Sequence, residues 1–78
     1  MAMDNKTKQD LGAIMSDVCT WCKEISQSDD LELIAKRLGW ITGVIQLTAE
    51  EIERTPCQFD WIVIAVKKLK TEDNTAKE

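Results

Sequence analysis

Cys19-Thr20-Trp21-Cys22 is a C-x-x-C pair, a spacing used by thiol–disulfide couples and by zinc sites. In a redox protein the pair opens a helix, where the macrodipole lowers a thiol pKa. Here it falls in the middle of an amphipathic segment, with no strand before it and no βαβ pattern around it. A zinc site needs four ligands, usually Cys or His. The chain has no histidine and one further cysteine, Cys57. Cysteine also serves as a small buried hydrophobe. The spacing favours that use, with Cys19 and Cys22 in or beside the core of the first helix. No metal or cofactor is expected.

Other catalytic groupings are missing from the sequence. It holds no His, no Tyr, no Gly-rich phosphate loop and no Ser in a nucleophile-elbow setting. Glu53 and Asp60 read as ordinary surface carboxylates. A chain of 78 residues has little room for a pocket of about 300 Å³ beside its core. The expectation is a non-enzymatic protein.

Residues 47–69 have a superficial helix-turn-helix look, and Lys67, Lys68 and Lys70 follow at the end. A recognition helix presents polar and basic side chains to base edges. This one presents Trp61, Ile62, Ile64 and Val66. The net charge of −4, from 14 acidic and 10 basic side chains, also argues against dependence on phosphate contacts. Nucleic acid is therefore not the expected partner. A small dimeric transcriptional regulator or antitoxin, touching DNA through the three lysines, is the runner-up reading.

Protein contacts have better candidates. Gly39-Trp40-Ile41-Thr42-Gly43 is G-x-x-x-G, which is weak outside a membrane. Yet each glycine inside a helix costs about 1 kcal/mol relative to alanine. Tolerated surface glycines are one explanation and a docking groove is the other. Trp40 and Trp61 are of the type enriched at interface hot spots. The expected protein-binding residues are Gly39, Trp40, Gly43, Trp61 and Ile64.

The elements that would position them are helices at about 7–27, 30–54 and 55–70. Leu11, Ile14, Val18, Trp21 or Cys22, and Ile25 recur every three or four residues, an amphipathic helix that Met15 and Cys19 widen. Thr7 and Asp10 resemble its capping box. The short polar connection Ser26–Asp30 predicts an αα-hairpin. The second segment carries two stripes. Leu31, Ile34, Leu38, Ile41, Ile45 and Ile52 form one, and Leu33, Trp40, Val44 and Leu47 the other, about 120° away at 100° per residue. Thr48-Ala49-Glu50-Glu51 could mark a break, but the Ile45-to-Ile52 step favours one continuous helix. Thr55-Pro56 reads as the cap and first residue of the third helix. There Phe59, Ile62, Val63, Val66 and Leu69 face one side, and Trp61 and Ile64 the other. Residues 1–6 and 72–78 read as disordered.

The expected fold is all-α, a single domain over 1–78: an αα-hairpin plus a shorter third helix, paired as a helical-bundle homodimer. A chain of this size buries only about 60% of its unfolded surface, and surplus apolar stripes point to self-association. Met1-Ala2-Met3-Asp4-Asn5-Lys6 lacks a signal-peptide h-region, and the longest apolar run, Trp61 to Val66, falls well short of the roughly 20 residues of a membrane span. A cytoplasmic location with reduced thiols is expected. The expected function is to bind and inhibit or otherwise modulate another protein. By size and composition alone, it is associated with phage and mobile-element modulators of host factors.

Overall fold

The computed structural model describes residues 3–77, with side chains described as far as Glu72. It is all-helical: α1 (Asn5–Ser26), α2 (Leu31–Ile52) and α3 (Asp60–Lys77). No helix among the described residues is long and apolar enough to cross a membrane.

The first helix starts earlier than Thr7. Asp4 is the N-cap, its carboxylate accepting the Thr7 N–H at 2.8 Å. Asp10, expected to complete a capping box, instead takes the Lys6 ammonium at 2.6 Å. A carboxylate ahead of the first turn satisfies an otherwise orphaned donor, so residues 4–6 form the cap and start of the helix. Met1 and Ala2 lie outside the described residues.

In the connection between α1 and α2 the Ser28 hydroxyl accepts the Asp30 N–H. Asp30 then caps α2, accepting from Glu32 and Leu33. The helix continues unbroken through Thr48, whose hydroxyl donates to the Val44 carbonyl at 2.7 Å. That bond satisfies a buried hydroxyl within its own helix.

The third helix begins at Asp60, four residues after Pro56, the first helical residue that the Thr55-Pro56 pattern predicts. The Gln58 N–H donates to the Glu51 carboxylate at 3.1 Å, which holds the connection against α2 rather than in a helical turn. Phe59, 1% exposed, plugs the core from this loop. Its carbonyl accepts from both Ile62 and Val63, so it stands where an N-cap does. At the far end α3 runs to Lys77, past the point where composition predicts disorder; Glu78 lies outside the described residues.

The core is Ile14, Val18 and Trp21 from α1, Val44 from α2, Phe59 from the connection, and Ile62 and Val66 from α3. Leu11, Trp40, Ile41, Cys57, Val63 and Leu69 pack around it, partly buried. Full burial of an aliphatic or aromatic side chain stabilises by about 1.5–3 kcal/mol. All three helices contribute, so none has a complete core without the others. Cys19 and Cys22 do not belong to it: both are exposed, free thiols. The helical phase that sends Trp21 inward turns Cys22 about 100° away.

Candidate functional site

Two charged side chains, Arg37 and Glu51, are buried on α2, each 3% exposed. They bracket Val44 at seven-residue spacing and lie on one side of the helix.

Near the start of α2, Nε and Nη2 of Arg37 both donate to one Glu24 carboxylate oxygen on α1, at 3.4 Å. The guanidinium carbon lies 4.1 Å from the ring centroid of Trp40. Trp40 meets Trp21 of α1 edge to face, with centroids 5.2 Å apart. The ring quadrupole partly replaces the water that the cation has lost. The group Glu24–Arg37–Trp40–Trp21 thus ties α2 to α1.

Near the end of α2, Glu51 Oε2 accepts the Gln58 N–H and Oε1 accepts the Trp61 indole N–H, both at 3.1 Å. The exposed Arg54 guanidinium lies 3.5 Å from Oε1. One carboxylate therefore fastens both the connection and the first turn of α3. Cys57 sits beside it. Burial, and then the Glu51 charge, push its thiol above the usual cysteine range. That holds the sulfur protonated, the opposite of what nucleophilic activation requires.

The five expected binding residues do not form one patch. Trp40 turns inward to Trp21 and Arg37. Gly39 and Gly43 lie on the open side of α2, where an added Cβ would meet nothing within 4 Å. Trp61 and Ile64 stand exposed on α3. Leu47, one turn before Glu51 on α2, is exposed as well. Trp61 is 41% exposed, yet its indole N–H is fixed by a buried carboxylate.

The structure also has more open volume than the chain length suggests. A groove of about 630 Å³ runs between the start of α1 and the α2–α3 connection, lined by Met3, Leu11, Ile52, Pro56, Cys57 and Phe59 among others. It lies at the end of the bundle rather than within the core. Among the described residues, no group of three or more Cys, Asp or Glu is placed to hold a metal ion. Lys70 pairs with Asp17 of α1 at 3.1 Å, so one of the three lysines expected to reach DNA is already held by an acid.

Comparison with known proteins brings no match, whether to a family model, a curated protein or a solved structure.

Proposed function

We propose that this chain is a small non-enzymatic protein-interaction module that binds and inhibits or otherwise modulates another protein. In this reading α1 and α2 form an αα-hairpin frame, α3 completes the bundle, and the molecule works as a homodimer. The partner site is the exposed face of α3 around Trp61 and Ile64, with Leu47 of α2 beside it. The role of a phage or mobile-element modulator of a host factor rests on size and composition.

The observation that carries this reading is the state of Trp61. A tryptophan that is open to solvent but held by a buried acceptor is pre-organised. Its ring is available, and little rotamer freedom is left to lose on binding. Anchors of this type contribute about 2 kcal/mol or more at a hot spot.

The test uses the full chain immobilised under reducing conditions, with Trp61→Phe and Ile64→Glu variants beside the wild type. Proteins retained from a lysate by the wild type are then titrated individually against each variant. A partner whose affinity falls at least tenfold with either variant, while helicity is unchanged, supports the site. Equal affinity for all three chains would remove this face from consideration.

A further inference from the structure

The outer side of α2 carries Leu31, Leu38, Ile45 and Ile52, seven residues apart, all exposed, from 46% at Ile45 to 78% at Leu31. Between them stand Ala35, Thr42 and Ala49, also seven apart and also exposed. Together they form an unbroken large–small alternation at steps of four and three, the spacing of a helix–helix seam. The row lies about 120° round α2 from its buried side and on the opposite side from Leu47.

We propose that this row is the seam of an antiparallel, two-fold symmetric homodimer, with α2 packed on α2 of a second copy. The proposal rests on the homodimer reading above and assigns its surface. A dyad near Thr42 sets Leu31 against Ile52 and Leu38 against Ile45 of the second copy. It also sets Ala35 against Ala49, and Thr42 close to itself. Large residues meet large and small meet small, as a self-complementary isologous contact requires.

Charge selects the direction. The row itself holds no charged side chain. Acids stand at both of its ends, Asp29, Asp30 and Glu32 at one and Glu53 at the other, so either direction brings acid near acid and the two macrodipoles decide. A parallel pair aligns the dipoles, whereas the antiparallel pair opposes them.

Area sets the strength. A third of the perimeter of this 22-residue helix is roughly 400 Å², so two copies bury about 800 Å² in total. That is below the usual range for a stable specific contact. The dimer is therefore concentration-dependent rather than obligate.

Sedimentation equilibrium of the full chain, with thiols kept reduced, tests the seam. The wild type is expected to pass from monomer to dimer as concentration rises into the high micromolar range. Leu38→Glu alone and Ile45→Lys alone should each weaken dimerisation at least tenfold. Both side chains are solvent-facing, so helicity by circular dichroism should hold; Ala49→Glu is a second probe should either variant lose it. An equimolar mixture of the two variants should dimerise at least tenfold more tightly than either alone. In the mixed dimer the carboxylate introduced at position 38 of one chain faces the ammonium introduced at position 45 of the other. The second copy of the contact keeps its native Leu38 and Ile45.

A wild type that stays monomeric at millimolar concentration overturns the proposal. So does a dimer that the single variants leave intact, which would move self-association to another face. A mixture that stays monomeric overturns the antiparallel register. Partner affinity through Trp61 is measured on the same Leu38→Glu chain, so failure of the seam and failure of the partner site are read separately.

Discussion

Arg37 and Glu51 solve one problem in two ways. Each is a charge taken out of water on the same side of α2. Arg37 lies against a polarisable ring and reaches a carboxylate that is itself partly in solvent. Glu51 is held by two N–H donors, one from the backbone and one from an indole. Water near Glu24 can take up part of the Arg37 charge if the pair loosens. The donors at Glu51 come from two separate segments, the connection and the first turn of α3, which Phe59 and Ile62 also anchor in the core. Loss of the acid therefore loosens both the connection and the start of α3, while loss of the base loosens one helix pair.

The largest effect is expected from Glu51→Ala. Two bonds to a charged acceptor are lost, at about 1.5–3 kcal/mol each, and water recovers part of that because Gln58 and Trp61 are both exposed, so urea unfolding should show a loss of roughly 2–3 kcal/mol. Glu51→Gln keeps one acceptor oxygen and should recover part of that. Arg37→Met should cost less, about 1–2 kcal/mol, because it removes the ion pair and the cation–π contact but keeps much of the apolar stem over Trp40. If Arg37→Met proves the more damaging, the comparison is wrong and the α1–α2 end holds the fold.

Between these two ends, Gly39→Ala and Gly43→Ala test α2 as a rod. Both sites are helical and open, so each change should stabilise by up to about 1 kcal/mol. A loss measured in the same unfolding experiment would show that something approaches the glycines closely.

The smallest effect lies away from α2. The Thr7 backbone N–H, and then its hydroxyl, hold the Asp4 carboxyl below its ordinary range. A lowered folded-state pKa means stability that is present above the unfolded value and lost as pH falls through the folded one. Helicity followed in an acid titration should therefore fall in Asp4→Asn less steeply below pH about 4 than in the wild type.

The apolar phases of α1 and α3 were legible in the sequence. Ile14, Val18 and Trp21, and likewise Phe59, Ile62 and Val66, are buried as their spacing predicts, and Trp61 and Ile64 are exposed. The two buried charges were not legible, because Arg and Glu on a helix ordinarily face water. A signal was nonetheless present: Arg37 and Glu51 stand seven residues either side of Val44, in phase with the stripe of Trp40 and Leu47. The start of α3 was misplaced because capping patterns are local, whereas the Gln58 N–H is claimed by an acid seven residues earlier. Cys19 and Cys22 were misplaced by one step of helical phase. No residue type announces that step when Trp21 lies between them.

The three tryptophans divide the molecule optically. Trp21 and Trp40, edge to face at 5.2 Å, are close enough for their indole transitions to couple. The near-ultraviolet dichroism of that pair is a readout of the α1–α2 contact. Trp61, partly in solvent and tethered to a carboxylate, emits from the opposite end of α2. Quenching by acrylamide should fall on Trp61 first. The native chain therefore carries two internal reporters, one for the frame and one for the face offered to a partner, and neither needs a label.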